Sequence, residues 1–357
     1  MSWSASAPNG EAARTPSQYV MIAVIGIAVA IVGSFGFDQK QRYDEALARA
    51  DRDTLNAAIL VAETTARTFE DIDATLGAVI LLQRDAEAGV RRDKATLFRL
   101  MRIINDTSPM IDVVGWFDAG GDLIVSSLAP DRPSINIADR EYFIAQRDGA
   151  AKGLFVAAPV QSRANGAWII TMSRRLETSD GRFAGVVSAL IDPAYFASIF
   201  RAVELGPGRI GALFRADGTV LAREPQLTER LGQSAATAAW FREQVPSAPS
   251  GTYRGRSVFD GSERILSFAK VAGGAQIASV SVPRSEALAV FYRNLVRSGV
   301  RYGVLLLLLF AGTWLLLVQL RRRQRADGRF RDLLESAPEA MVIAEPSGRI
   351  ALVNAQM

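Results

Sequence analysis

Two uncharged apolar runs limit what this chain can be. Residues 19–37 read YVMIAVIGIAVAIVGSFGF and residues 302–320 read YGVLLLLLFAGTWLLLVQL, each 19 residues without a charge. A helix needs about 20 such residues to cross the hydrocarbon core of a bilayer. Buried helices of soluble folds rarely stay charge-free for so long. Both runs are therefore expected to be transmembrane helices. For the first, a cleaved signal peptide is the competing reading. Signal peptides carry an apolar stretch of about 7–15 residues and a small-residue A-x-A site. No clear site of that kind follows here, and a helical pattern continues from Asp38, so the segment reads as an uncleaved anchor. Tyr302 and Trp314 are aromatics of the type found at membrane interfaces.

Basic flanks orient the pair. Arg321, Arg322, Arg323 and Arg325 follow the second run immediately, which marks that side as cytoplasmic. They could also bind anionic lipid head groups, although marking topology is the simpler role. Arg293, Arg297 and Arg301 precede the run and weaken the contrast, but a long intervening segment translocates largely regardless of its charge. Residues 1–18 are expected to be a cytoplasmic tail, and 38–301 to lie outside the cytoplasm.

The chain has neither His nor Cys. That removes disulfides, thiol nucleophiles, thiolate metal sites and the commonest general base and metal ligand. An all-carboxylate site would remain possible, but binding is a better expectation than catalysis, with no metal, no cofactor and no catalytic residue. The net charge of +4 gives no reason to expect nucleic acid as a partner.

The block 38–301 opens with a helical pattern over 38–84. Leu55, Ile59, Ala62, Ala66, Phe69, Ile72, Leu76 and Val79 alternate steps of three and four, the seam of a long packed helix or coiled coil. A helix of about 45 residues spans roughly 65 Å, so it reads as a stalk. A second short helix is expected around 93–105. Strand patterns then cover 111–117 and 122–127 around the turn at 118–121. A helix over 138–148 and strand runs at 154–162, 167–177 and 183–192 follow, with turns at Asn165-Gly166 and Asp180-Gly181. The order then repeats. FDAGGDLIV at 117–125 matches FRADGTVLA at 214–222 at an offset of 97 residues. A helical section at about 227–244 and strands near 251–259, 263–271 and 276–282 follow it. Two copies of one α+β unit explain this better than one large fold.

The strings IADREYFIAQRDG from 137, IITMSRRL from 169 and FAGVVSALIDPAYFASIF from 183 resemble the double-Cache family of extracytoplasmic sensors in bacterial transmembrane receptors. The resemblance covers about 38–300. It implies an α+β fold: a long N-terminal stalk helix with two tandem PAS-like (Cache) modules, flanked by two transmembrane helices. The distal module would occupy 105–204 and the proximal one 205–283, in a multi-pass protein of the bacterial inner (plasma) membrane with its central domain periplasmic or extracellular. A second resemblance begins after the arginines. FRDLLESAPEAMVIAEPSGRIALVNA from 330 is similar to the start of a cytoplasmic PAS domain, with Pro346-Ser347-Gly348 as its turn and Asn354-Ala355 opening the next helix. Residues 330–357 are too few for a PAS fold, so the chain is expected to be truncated, with its output domain beyond Met357.

The Cache resemblance implies a ligand site in the distal module. Many such sensors carry Arg followed by aromatics on or beside the pocket helix to grip a carboxylate, and Arg140 and Tyr142 match that pattern. A guanidinium suits the task because its fork donates two parallel hydrogen bonds. Strand alternation puts Thr171, Ser173 and Arg175 on one face of 167–177, and Trp168, Ile170, Met172 and Arg174 on the other. If the apolar set packs on the core, Ser173 and Arg175 line the cavity; if the faces are reversed, Arg174 does. An arginine pair solvated on an edge strand is the structural alternative. Amino-acid-binding members hold the ligand's ammonium with acids where this chain has Pro159-Val160-Gln161 and Ser188-Ala189-Leu190. Asp192, two residues on, reads as an N-cap for Pro193. The implied ligand is a small carboxylate.

The implied function is a homodimeric receptor relaying the signal through helix 321–335 to the PAS segment and a histidine kinase, with a response regulator downstream. A diguanylate cyclase or phosphodiesterase output is the runner-up, and a non-signalling membrane-anchored surface protein the contrasting class. No adaptor-type linker follows the second span, which disfavours a chemoreceptor.

Overall fold

The computed structural model describes residues 16–130, 135–151, 153–162, 166–335, 342–344 and 350–353. Asn165, the 346–348 turn and Asn354-Ala355 lie outside the described residues, as does most of the 1–18 tail. The chain divides into two units, Glu45–Ala289 and a second made of Met1–Asp44 with Val290–Met357.

Helix α1 runs Pro16–Glu87, 72 residues. It ends where Gly89 takes a left-handed φ of 92°, with the amides of Gly89 and Val90 bonded back to Ala86 and Asp85, a glycine stop that satisfies the last carbonyls. Within the first unit, α1 buries Ala58, Val61, Ala62, Ala66, Phe69, Ile72, Leu76 and Val79. The expected seam holds from Ala62 onward. Before that it shifts: Leu55 and Ile59 are only half-buried, while Thr54, Ala57 and Ala58 turn inward. The hydroxyls of Thr54 and Ser267 lie 2.7 Å apart, so a polar tie as well as apolar packing sets the register of the helix there.

Two sheets pack on α1. The first has the order β2-β1-β6-β5-β3: β1 Val113–Asp118, β2 Leu123–Ser126, β3 Phe155–Val156, β5 Trp168–Glu177 and β6 Phe183–Ile191, with β4 Val160–Gln161 also pairing with β5. The expected strand 154–162 is two short pieces, because Pro159 has no amide to donate to the ladder. Helix α2 (Lys94–Asp106) precedes this sheet and α3 (Glu141–Arg147) lies over it. α2 starts at Asp93, whose side chain accepts from the Thr96 amide. Helix α4 (Pro193–Ala202) leads into the second sheet, order β8-β7-β11-β10-β9: β7 Ile210–Phe214, β8 Val220–Glu224, β9 Ser250–Arg256, β10 Glu263–Lys270 and β11 Ile277–Pro283.

The hairpins β1–β2 and β7–β8 repeat each other residue by residue at the 97-residue offset. Gly115 pairs with Ser126 as Ala212 pairs with Arg223; Phe117 pairs with Leu123 as Phe214 pairs with Val220; and both hairpins shift register just before the Phe. The expected helix over 227–244 is broken. Gly232 has φ 76°, and residues 232–235 bond back to the β7–β8 hairpin, leaving one helical turn at Thr228–Arg230 and another at Trp240–Gln244.

One buried cluster runs from α1 through both sheets by way of Phe196 and Phe200 of α4. Burial of a side chain of that size contributes about 1.5–3 kcal/mol. At the first sheet, polar ties join α1 to Ser108, through Thr75 at 2.5 Å, and to Arg174, whose guanidinium donates two bonds to Asp73.

In the other unit, the apolar part of α1 and helix α6 (Ala289–Glu335) are long and apolar enough to cross a membrane, and none of their most apolar residues is buried. This argues against core helices of a soluble fold. Phe35 meets Tyr302 in a tilted ring contact, and Tyr43 meets Phe291 edge to face. The short α5 (Arg284–Ala287) is separate from α6, which is continuous through the expected span and the expected signalling helix. Strands β12 (Val342–Ala344) and β13 (Ile350–Val353) form an antiparallel pair.

Gly185 is the tightest point of the first sheet. Its φ is 138°, and a Cβ there would lie 2.0 Å from the Phe117 carbonyl oxygen. Gly185→Ala is expected to cost about 3 kcal/mol through strain and clash, read as a lowered midpoint of thermal unfolding.

Candidate ligand-binding site

Register decides which side chains meet on the sheet face away from α1. Ser188 stands beside Gly115 and Ser173, and Leu190 beside Val113 and Thr171. Ile170, Met172 and Leu176 take the opposite face and join the α1 core. The apolar set of β5 thus packs on the core, and its polar set faces α3.

A cavity of about 100 Å3 opens on that face. Val113, Gly115, Phe117, Ile169 and Leu190 form its sheet side, and Ile137, Arg140 and Tyr142 close it from the α3 side. The segment leading into α3 is fastened by Asn136, whose side-chain amide donates to Gly120 O at 3.0 Å and Asp122 Oδ1 at 2.9 Å. Arg140 caps α3: its backbone carbonyl accepts from Phe143 and Ile144, and its amide bonds Ile137 O. Its guanidinium makes no hydrogen bond or ion pair with any described residue. It is also the only charged group among the described residues lining the cavity.

Two further features distinguish this face. The hydroxyls of Thr171 and Ser188 are fully buried and have no protein partner. Leaving such a group unsatisfied costs about 1–3 kcal/mol. Gly115 keeps the space over Ser188 open, since a Cβ there would stand 3.6 Å from its hydroxyl and 2.7 Å from the Phe117 ring.

The five expected site residues therefore separate. Arg140 and Tyr142 line the cavity; Ser173, Arg174 and Arg175 do not. Ser173 is on the correct face but is used to dock α3: its hydroxyl donates to Tyr142 O, and its carbonyl accepts from Gln146 Nε2 at 2.8 Å. Arg175 closes the C-terminus of α3 by donating to the carbonyls of Gln146 at 2.7 Å and Arg147 at 3.0 Å, and lies over the Phe183 ring. Arg174 points to the other face and pairs with Asp73 of α1. Gly115 and Ser126 carry no signal in the sequence, and Ser188 stands out there only as a position without an acid, because β1–β2 and β1–β6 pairing is what brings the three to this face. Asp192 does act as an N-cap, accepting from the Ala194 amide at 2.7 Å.

Known proteins place this geometry in context. A family model described as a Cache domain, dCache_1, matches residues 43–291. The extracellular domain of a candidate histidine kinase, rpHK1S-Z16, is 30% identical, with a TM-score of 0.61 over 68% of this chain and 98% of that one. The ligand-binding domain of the Pseudomonas fluorescens chemoreceptor CtaA, solved with L-isoleucine, is 16% identical, with a TM-score of 0.51 over 70% of this chain and 98% of that one. The periplasmic sensory domain of the Campylobacter jejuni chemoreceptor Tlp1 is 10% identical, with a TM-score of 0.53 over 68% and 96%. At these identities the two chemoreceptor domains share the fold. No curated protein sequence matches the chain.

The unpartnered hydroxyls give a test of the empty cavity. Thr171→Val removes an unsatisfied buried oxygen at constant shape, so the ligand-free protein should be as stable or about 1 kcal/mol more stable. Ser173→Ala, which breaks a bond to α3, should lose about 1 kcal/mol. Thermal unfolding of the full chain in nanodiscs compares the two.

Proposed function

Since this chain belongs to the Cache domain family, we propose that it is a transmembrane receptor that captures a small carboxylate outside the cytoplasm. The observation that carries this is the cavity of the first module, which Arg140 lines together with Tyr142, Ser126 and Ser162 and which no acid lines among the described residues. A carboxylate would take two parallel bonds from Arg140. Its other polar atoms would meet the polar lining residues Ser126, Tyr142 and Ser162. A cavity of about 100 Å3 suits a small acid. An amino acid would bring an ammonium that this wall does not balance, and burying an unpaired charge is costly.

The two apolar helices would anchor the chain in a bacterial inner membrane, with 38–301 on the outer side and residues 1–18 and 321–357 inside. The likeness to the extracellular domain of rpHK1S-Z16 supports that side, and it supports a histidine kinase output with a response regulator as its partner. The segment 330–357 would then be the start of a PAS module. Leu60 and Leu81, exposed on α1, offer apolar surface for two-fold pairing along the stalk. Ligand shifts such a receptor only as far as its affinities for the two signalling states differ. Helix α1 carries the apolar segment and also packs on both sheets, so it is the element through which this difference would act.

Calorimetric titration of the full chain in nanodiscs tests the ligand class. Acetate, propionate or pyruvate should bind, and Arg140→Ala should weaken binding by roughly 10- to 100-fold, the range for a hydrogen bond to a charged group. Binding of glycine or alanine without binding of simple carboxylates would reverse the assignment. Protease added outside spheroplasts should cleave within 38–301 and leave the C-terminal segment intact.

A further inference from the structure

The second module repeats the first in register but carries different side chains at the equivalent cavity. Arg223 pairs with Ala212 where Ser126 pairs with Gly115. Arg264 occupies the β10 position that Ile169 occupies in β5, two residues before the residue paired with the Leu190 equivalent, Ser281. The equivalent cavity is small, about 50 Å3, and is walled by Trp240, Tyr253 and Phe259. We propose that it is a second, separate site, which binds a compact inorganic oxyanion of phosphate or sulfate type between Arg223 and Arg264.

Positive charge outweighs negative at this cavity. Three arginines line this cavity, Arg223, Arg256 and Arg264, against one acid, Asp260. Arg264 is buried, 8% exposed. Its Nε donates to the Ser281 hydroxyl at 3.1 Å and one Nη to Gly208 O at 2.9 Å. The remaining nitrogen is 3.9 Å from Asp260, too far for a hydrogen bond. Ser262 donates to the other Asp260 oxygen, Oδ1, at 2.7 Å. The Nε of Arg223 is buried and has no partner, and Arg256 makes no ion pair with a described residue. Burial holds both the Arg223 and Arg264 guanidinium groups below the usual arginine range; for Arg223 the neighbouring Arg230 adds to the effect. Partly buried positive charge that its acids only partly offset is costly in a protein interior, and here three arginines meet one acid at a single cavity. A dianion would offset it, and paired guanidinium forks match the oxygens of a phosphate-like ion. At about 50 Å3 the cavity is half the size of the first, which favours a compact ion.

The test is thermal unfolding of the full chain in nanodiscs, in phosphate or sulfate against chloride at matched ionic strength, together with equilibrium binding of labelled phosphate. Phosphate should raise the midpoint by several degrees more than chloride and bind once per chain. Arg223→Gln and Arg264→Gln should each weaken phosphate binding at least tenfold, and Arg223→Gln also covers the case in which Arg264→Gln does not fold. Without phosphate, Arg223→Gln should leave the midpoint unchanged or raise it. Arg140→Ala should keep the phosphate effect, which separates this site from the carboxylate cavity. The proposal is overturned if phosphate gives no effect beyond chloride, or if the effect survives Arg223→Gln. It also fails if Arg223→Gln lowers the midpoint equally with and without phosphate, since the arginine would then be only structural.

Discussion

One buried stripe on α1 holds the ligand-binding unit together. Ala58, Val61, Ala62 and Ala66 through Phe69, Ile72, Leu76 and Val79 form a single hydrophobic cluster with side chains of both sheets. Neither sheet can bury that face without the helix, because a sheet needs a partner layer to form a core. The small residues let the helix lie close to its neighbours, and the larger ones fill the space beside the first sheet. Hydroxyl pairs at Thr54 and Thr75 and the Asp73–Arg174 ion pair add direction to a contact that apolar packing alone would leave free to slide.

With one sheet face committed to α1, the other is available for a cavity, and this happens twice with the same register. What differs is the chemistry placed on the frame. The first module puts one guanidinium at a capping position and two free hydroxyls on the sheet. The second puts arginines on the strands themselves, at the Ser126 and Ile169 equivalents, and retains a serine, Ser279, at the Ser188 equivalent. A duplicated scaffold can in this way carry two recognition problems of different size and charge, because function resides in the site and not in the fold.

Much of the architecture was legible in the residues. The apolar runs, the three-four spacing from Ala62 to Val79 and the paired FDAGGDLIV and FRADGTVLA hairpins all express local periodicity or turn chemistry. The start of the α1 seam was not, because Thr54, Ala57 and Ala58 carry little hydrophobic signal, and they face inward through contacts with residues about 200 positions away. The helix expected at 227–244 failed for a similar reason: Gly232 and bonds to the preceding hairpin override local propensity. At the site, alternation gave the faces of β5 correctly, but it could not show that α3 consumes Ser173 and Arg175, or that Asp73, 101 positions away, claims Arg174. Arg140 and Tyr142 came from the family pattern, which records position where periodicity does not.

Hydrogen exchange of the nanodisc-embedded chain, with and without saturating propionate, tests the site assignment most directly, since it shows where in the fold the ligand tightens the structure. Slowing is expected to be greatest in the amides of 137–147 and the facing strands β5 and β6, with the second module nearly unchanged. Bound propionate that leaves 137–147 unprotected, or whose main protection falls in 205–283, would contradict the account.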